Sequence, residues 1–302
     1  MKIVFVVYAK PEVGLGHWFR TLALADVANE AGHQVWLCGN RMARGIHNYY
    51  QIRENEPDDL YFVIEQIKPD CLVLDLQDKV PGYVYNIPRK NMKIVVLNGV
   101  GREEEDQADL TIIQGFSDTQ YSKTFSGVEY IILRPELFKY PKIENPKSWF
   151  VFGGAADKMQ LLAEFQHTMW DIQANLWTTS FSPLNGVVNN DAHSLYRTDG
   201  YNIVNGTMFA IMCLSKAACI SMGMTAWELV AMGIPTYVFS WSEGHLAFAK
   251  QMEKNGLIKV WDGIGLPGFD LFRNFLLENQ FEITGDKPDE FGAQRVLKLM
   301  EE

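Results

Sequence analysis

A histidine and an arginine, His17 and Arg20, follow two glycines where a predicted strand passes into a predicted helix, in the segment GLGHWFR. Side chains three positions apart lie on one face of a helix, so the two would act together. Gly14 and Gly16 leave the backbone open to a ligand, and the N–H groups of a helix start attract an anion. Histidine titrates near neutral pH, which suits acid–base catalysis. The segment predicts an anion site with a proton-transferring group, and the alternative is a tight turn before an ordinary histidine.

Two carboxylates, Asp75 and Asp78, lie at or just beyond the end of the predicted strand Asp70–Asp75. Ligands of open α/β sheets bind beyond the carboxyl ends of the strands, so either carboxylate is an alternative catalytic base to His17. The competing interpretation is a solvated carboxylate at the end of a strand.

Two glycines, Gly153 and Gly154, form a similar turn after the predicted strand Ser148–Phe152. Backbone amides in such a turn can bind a pyrophosphate oxygen. The same turn also occurs without any ligand, and taken alone the pattern does not separate the two cases.

Segment 221–228, SMGMTAWE, again joins a strand to a helix through small residues. Its N–H groups and the hydroxyl of Thr225 could contact a phosphate. Glu228, one turn further on, could accept two hydrogen bonds from a ribose diol. The alternative is a capped core helix with a solvated glutamate. The candidate binding residues of this segment are Ser221, Gly223, Met224, Thr225 and Glu228.

Glu243 and His245 follow the next predicted strand, Pro235–Phe239. Neighbouring parallel strands end at the same edge of a sheet, so both side chains could reach the ligand of segment 221–228. An ordinary surface histidine is the alternative for His245. Four strand-end loops of this kind, spread over both halves of the chain, point to one kind of ligand site more strongly than any single loop does.

The elements that must position these loops are strands alternating with helices, which predicts βαβ units and parallel sheets. Glycines and prolines interrupt the alternation over Gly115–Lys147, as expected of a connection between domains. The 302 residues suffice for two domains. We predict an α/β fold of two Rossmann-like doubly wound domains, 1–140 and 141–302. Residues 175–205, rich in Asn, Ser, Thr and Gly, are predicted to be a long surface loop or an irregular insertion.

The composition is that of a globular protein, with 47% hydrophobic and 21% charged residues. No apolar run approaches the roughly 20 residues that span a bilayer. The apolar start lacks the cleavage site of a signal peptide and is predicted to be a buried strand. A net charge of −10 provides no overall basic field for nucleic acid, although a local basic patch stays open. Three of the four cysteines, Cys38, Cys71 and Cys219, fall in predicted strands, which favours reduced core thiols, no structural metal and a cytoplasmic location.

Four motifs, taken in order along most of the chain, resemble those of one family. They are the GxGHxxR segment that ends at Arg20, the LRPE stretch at 133–136, the turn at 153–154, and SxGxTxxELxAxGIP over 221–235. Together they resemble the UDP-sugar hydrolase of pseudaminic acid biosynthesis and its spore-coat-polysaccharide relatives. The C-terminal half is also similar to the transferase that adds GlcNAc to lipid I in peptidoglycan synthesis.

The resemblance implies a GT-B fold, with two Rossmann-like domains facing across a cleft. It implies that 1–140 holds the acceptor side and catalytic histidine, and that 141–302 binds the nucleotide. It also implies metal-independent, inverting chemistry on a UDP-sugar, with no cofactor.

Individual residues acquire roles from the same resemblance. The histidine of GxGHxxR is catalytic in the hydrolase family and is His17 here, while the glutamate that binds ribose in the transferases matches Glu228. Arg134, in the LRPE stretch, joins the candidates for substrate binding. The chain departs from the family at Met222 and Met224, where small residues are usual, and these departures bear on the substrate more than on the fold.

The predicted reaction is hydrolysis, in which water attacks C1 of a UDP-linked sugar with His17 as the base. Amides near Gly154 and Gly223 would stabilise the leaving pyrophosphate. The alternative is a GT-B glycosyltransferase whose acceptor is a hydroxyl of a saccharide, a lipid-linked sugar or a hydroxylated DNA base. A third possibility, a non-catalytic nucleotide-sugar sensor, predicts UDP binding without turnover.

Overall fold

The described part of the computed structural model contains two seven-stranded β-sheets, one in each half of the chain. The described residues are 1–8, 15–40, 48–53, 56–76, 91–98, 108–117, 123–140, 143, 148–152, 176–178, 196–198, 201–203, 208–265, 274–275 and 281–302. They divide into two units. The first holds the described residues up to Arg134 together with Asp289–Glu302, and the second holds those from Pro135 to Pro288.

The helices of the described residues are short to medium in length, and none of them is long and apolar enough to cross a membrane. They are α1 (Gly16–Glu30), α2 (Pro57–Ile67), α3 (Met208–Cys213), α4 (Met224–Ala231), α5 (Glu243–Lys254) and α6 (Gly292–Glu301), with 3-10 turns at Val128–Tyr130 and Pro135–Lys139.

The sheet of the first unit is parallel throughout and runs in the order β3-β2-β1-β4-β5-β6-β7. From β1 the chain builds outward to one side through β2 and β3, and then to the other side through β4. The order therefore reverses between β1 and β4, and this is the point where doubly wound sheets open a crevice. The strands are β1 (Lys2–Val7), β2 (Gln34–Gly39), β3 (Tyr49–Gln51), β4 (Cys71–Asp75), β5 (Lys93–Asn98), β6 (Leu110–Ile113) and β7 (Thr124–Ser126).

Strand β1 is apolar on both faces because both faces are covered, as in other parallel sheets. Phe5 lies in the core cluster that includes Leu24 of α1 and Val296 of α6. Val6, which points to the opposite face, lies with Leu60 of α2 in a second cluster. Each buried side chain of this size stabilises the fold by about 1.5–3 kcal/mol.

The sheet of the second unit runs β10-β11-β9-β8-β12-β13-β14 and is parallel except for the hairpin of β10 and β11. Here the order reverses between β8 and β12. The strands are β8 (Ser148–Phe152), β9 (Leu176–Thr178), β10 (Tyr196–Thr198), β11 (Tyr201–Ile203), β12 (Ser215–Ser221), β13 (Thr236–Ser240) and β14 (Lys259–Ile264).

Three of those strands, β9 to β11, lie within residues 175–205, for which the sequence predicts a long surface loop or an irregular insertion. These nine residues are strands instead, since they extend the sheet by main-chain pairing. Strands only three residues long, among polar neighbours, lack the alternation of apolar and polar residues that identifies longer strands.

Helix α6 belongs to the first unit, although the sequence predicts that 141–302 as a whole forms the second domain. Its buried side carries Val296 and Met300, which join the core cluster of α1. Lys93 donates to the Met300 carbonyl at 3.0 Å, and Arg295 donates to the Glu129 carbonyl at 3.0 Å. The helix therefore closes one face of the first sheet.

Candidate active site

A buried carboxylate, Asp75, gathers three side chains of α1 around it. His17 Nδ1 lies 2.6 Å from Asp75 Oδ1, and Arg20 Nε donates to Oδ2 at 2.8 Å. Arg20 Nη2 also donates to Oδ1, and the Thr21 hydroxyl donates to Oδ2 at 2.9 Å. We call these four residues, His17, Arg20, Thr21 and Asp75, the Asp75 cluster.

The secondary structure explains why these residues meet. Positions 17, 20 and 21 are spaced i, i+3 and i+4, so they share one face at the start of α1. Asp75 ends β4, and its Cα partner in the neighbouring strand β1 is Val7. Because α1 follows β1 in the chain, the start of the helix lies beside the end of β4, at the reversal of strand order in the first sheet.

The protonation state of the cluster follows from its contacts. Burial of the carboxyl opposes its ionisation, but the charge of Arg20 and the hydrogen bonds to it hold the pKa of Asp75 well below its usual range. An ionised carboxylate only accepts hydrogen bonds. The 2.6 Å contact therefore requires the proton of His17 to be on Nδ1.

A second contact competes for the same ring nitrogen, since Arg20 Nη2 lies 2.9 Å from His17 Nδ1. A nitrogen that carries a proton has no in-plane lone pair with which to accept from Arg20. If Nδ1 carried no proton and accepted from Arg20, its lone pair would also face the negatively charged carboxylate of Asp75, which is unfavourable. We therefore assign the Nδ1–H tautomer, with the lone pair of the ring on Nε2.

The arrangement suits proton abstraction by His17. Its side chain is 27% exposed, whereas that of Asp75 is fully buried, so the histidine alone of this pair can meet a solvent-borne reactant. No described residue forms a hydrogen bond to Nε2. An aspartate behind a histidine fixes its tautomer and stabilises the imidazolium that forms when Nε2 takes a proton.

Two residues of the cluster have places that differ from their predicted roles. Asp75, predicted as an alternative base, has all its acceptor positions filled and serves as the partner of His17. Arg20, predicted to bind substrate, is 4% exposed and holds Asp75 instead. The sequence motifs do not single out Thr21, although its i+4 spacing from His17 is a signal from which it could be predicted.

Arg134, from the LRPE stretch, lies against α1. Its guanidinium carbon is 4.7 Å from the centroid of the Phe19 ring, a cation–π contact. The ring is 37% exposed. The structure thus brings the LRPE stretch and the GxGHxxR segment together, two motifs that the sequence separates by more than a hundred residues.

In the second unit, Ser221 ends β12 and Gly223 precedes α4. Among the described residues no side chain caps the start of this helix by a hydrogen bond, and a Cβ on Gly223 would meet nothing within 4 Å. Met224 and Thr225 are half-buried in its first turn. Gly223 is therefore the exposed point of the loop after β12, at the carboxyl edge of the sheet where the sequence predicts that phosphates bind.

Glu228 is only 4% exposed, on the buried side of α4, so the alternative interpretation of a solvated glutamate is wrong. Glu243 and His245 are exposed in the first turn of α5, after the neighbouring strand β13. The Ser242 hydroxyl caps this helix by accepting from the backbone N–H of His245 at 3.3 Å. The two loops share one edge of the sheet, as predicted, because β12 and β13 are parallel neighbours.

The remaining predicted site residues, Gly14, Asp78, Gly153 and Gly154, lie outside the described residues. Within the described ranges, no group of three or more His, Cys, Asp or Glu side chains is arranged to hold a metal ion. Gly16 is the first residue of α1, one position before His17.

Known proteins resemble this chain more clearly in fold than in sequence. No protein-family model matches the chain. An uncharacterized protein of Methanocaldococcus jannaschii is 22% identical over 272 residues, which cover 80% of this chain and 56% of the relative. The chain thus spans about half the length of the curated relative that it matches.

Solved structures resemble the whole chain. Acinetobacter baumannii MurG superposes with a TM-score of 0.66 at 16% identity, over 100% of this chain and 99% of that one. The UDP-GlcNAc 2-epimerase of Methanocaldococcus jannaschii, solved with UDP-GlcNAc and UDP, gives 0.63 at 8% identity, over 100% and 99%. At these identities the likeness establishes the fold, and the chain has the GT-B fold of two Rossmann-like units.

Proposed function

We propose that this protein is an enzyme that breaks the anomeric C1–O bond of a UDP-sugar, with inversion and without a metal, and that its reaction is hydrolysis. The observation that carries the proposal is the pairing of His17 with Asp75 at the reversal of strand order in the first sheet. A fixed Nδ1–H tautomer leaves Nε2 as a base of the kind that activates water.

In the proposed step, Nε2 of His17 takes a proton from water while the water oxygen attacks C1. The bond between C1 and the oxygen of the β-phosphate breaks, and its electron pair leaves with UDP. Asp75 stays ionised and stabilises the imidazolium. The products are the free sugar with inverted anomeric configuration and UDP.

The second unit is proposed to bind the nucleotide. The first turn of α4, at the carboxyl edge of the sheet, is the proposed contact for the phosphates, and Glu228, Glu243 and His245 are the proposed contacts nearby. The choice of UDP is supported by the ligands of the M. jannaschii epimerase structure, UDP-GlcNAc and UDP. The hydrolytic reaction is supported by the family resemblance of the GxGHxxR and LRPE motifs.

A screen with UDP-, GDP-, CMP- and dTDP-sugars tests the proposal. A ligand of the folded state raises its stability by RT ln(1 + [L]/Kd), so we expect the midpoint of thermal unfolding to rise with UDP-sugars. The sugar that binds should then be released together with UDP in the absence of any acceptor, at a rate unchanged by EDTA. Absence of binding by all four classes contradicts the proposal.

Transfer to a hydroxyl acceptor is the second candidate function. It is favoured by structural neighbours that are transferases, among them the spinosyn rhamnosyltransferase SpnG in complex with spinosyn aglycone, at a TM-score of 0.63. Product analysis separates the candidates, because a transferase releases sugar only when an acceptor is present. Conversion of the sugar to its 2-epimer would identify an epimerase instead.

A further inference from the structure

The hydroxyl of Thr21 has an unusual partner for a threonine inside a helix. Such hydroxyls commonly donate to a main-chain carbonyl of the preceding turn. Thr21 is fully buried and donates to Asp75 Oδ2 at 2.9 Å. Because a hydroxyl has a single proton, this bond replaces the one to the backbone.

The carboxylate of Asp75 is saturated by its neighbours. Oδ2 accepts from Arg20 Nε at 2.8 Å and from Thr21, while Oδ1 accepts from Arg20 Nη2 and from His17. A carboxylate offers about four lone-pair positions, and here each is filled. Rotation of the carboxylate would break several of these bonds at once, so only one orientation satisfies the cluster.

Arg20 and Thr21 contribute differently to that orientation. Arg20 supplies positive charge as well as two donors from a planar fork. Thr21 supplies a donor with no charge, so it acts on the direction of the carboxylate without changing the charge of the cluster.

We infer that Thr21 is a positioning residue, which holds Asp75 in the orientation that keeps His17 in its Nδ1–H tautomer. The consequence for turnover rests on the proposed function, whereas the consequence for the tautomer does not. Because Thr21 is buried and contacts Asp75, its loss is expected to lower kcat and leave KM unchanged.

The test uses the full chain with ¹⁵N-labelled histidine and long-range ¹H–¹⁵N spectra, which distinguish the two ring tautomers. The signal of His17 among the six histidines is identified by its loss in His17→Gln. Thr21→Val removes the hydroxyl and keeps the shape, and Thr21→Ser keeps the hydroxyl. We expect Nδ1–H in the wild type and Thr21→Ser, and a mixture with Nε2–H in Thr21→Val.

Turnover of the UDP-sugar that binds gives the second readout. Thr21→Val is expected to lower kcat about tenfold, the effect of one hydrogen bond felt in the transition state. Thr21→Ser should stay within about twofold. If Thr21→Val does not fold, the pair Thr21→Ser and Thr21→Ala replaces it, since those two variants differ only in the hydroxyl.

An unchanged Nδ1–H tautomer in the variants that lack the hydroxyl overturns the inference. Equal losses in Thr21→Ser and Thr21→Ala overturn it as well, because they would show that the methyl group and its packing matter. Failure of the proposed function gives a different result. In that case no UDP-sugar is turned over, while the tautomer still depends on the hydroxyl of Thr21.

Discussion

Asp75 Oδ1 accepts a hydrogen bond from the Nδ1–H group of His17 at 2.6 Å, although 58 positions separate the two residues in the sequence. The pairing depends on β1 and β4 being neighbours, since α1 begins after β1 and Asp75 ends β4. The sequence predicts either residue as the base. In the proposed mechanism the pairing makes His17 the base and Asp75 the residue that positions it.

Replacement of His17 by alanine is expected to lower kcat for the UDP-sugar by about 10²–10⁴-fold, because general base catalysis contributes that much. UDP release in a coupled assay measures the loss. His33→Gln is the control: His33 pairs with Glu301 at the opposite end of α1 and should keep normal turnover. Near-normal turnover of His17→Ala would remove the histidine from the mechanism.

Asp75→Asn is expected to lower the free energy of unfolding at pH 7 by about 3–5 kcal/mol, because it leaves the buried charge of Arg20 without its partner. Urea titration followed by circular dichroism measures the change. Asp59→Asn, which breaks the exposed pair with Arg53, should cost much less.

The stability that Asp75 provides depends on pH in a defined direction. Its folded pKa is lowered, so the contribution is complete above its unfolded pKa, about 3.9, and declines as the pH falls toward the folded value. The difference between wild type and Asp75→Asn is therefore expected to shrink below about pH 4. A difference that grows with acid would contradict the ionised state assigned to Asp75.

The core cysteines are expected to be unreactive in the folded protein. Burial raises the pKa of Cys38 and of Cys71 to about 12, and the thiolate is the reactive form. Cys219 is equally buried. A thiol reagent at pH 8 should leave these three residues unmodified in native protein and modify them in guanidinium chloride, as read by peptide mass spectrometry. Rapid native labelling of any of them would place its strand outside the core.

Gly292→Ala is expected to destabilise the protein by about 1–3 kcal/mol, the cost of overpacking. In most helices this change is stabilising by about 1 kcal/mol. Here a Cβ would lie 2.0 Å from the Ile131 carbonyl oxygen, against which α6 packs. Gln294→Ala, on the exposed side of the same helix, is the control, and thermal unfolding measures both. Equal effects of the two substitutions would mean that α6 does not pack as described.

Much of the fold could be predicted because the central strands are continuous apolar runs. Segments such as KIVFVV and CLVLD permit few interpretations other than a buried parallel strand. The place of α6 could not be predicted in the same way. Its pattern shows that one face is buried, with Val296 and Met300 on it, but an amphipathic pattern does not name the surface that covers it.

Most individual residues of the candidate site could be predicted from the sequence, but their contacts with one another could not. Residue type and strand-end position identified His17, Arg20 and Asp75. Their mutual roles required the strand order, because only the adjacency of β1 and β4 brings Asp75 to the start of α1. Thr21 could not be predicted from its residue type, because a threonine in a helix indicates no particular chemistry until the structure shows a buried acceptor beside its hydroxyl.

The return of α6 to the first unit has a consequence for the order in which the chain folds. Synthesis is vectorial, so Val296 and Met300 become available to the core around α1 only after residues 135–288 have been made. Until then this face of the nascent first sheet lacks the part of its cover that α6 provides beside α1. The first unit can therefore complete its fold only after the second has been synthesised, although its own first strand is made earliest.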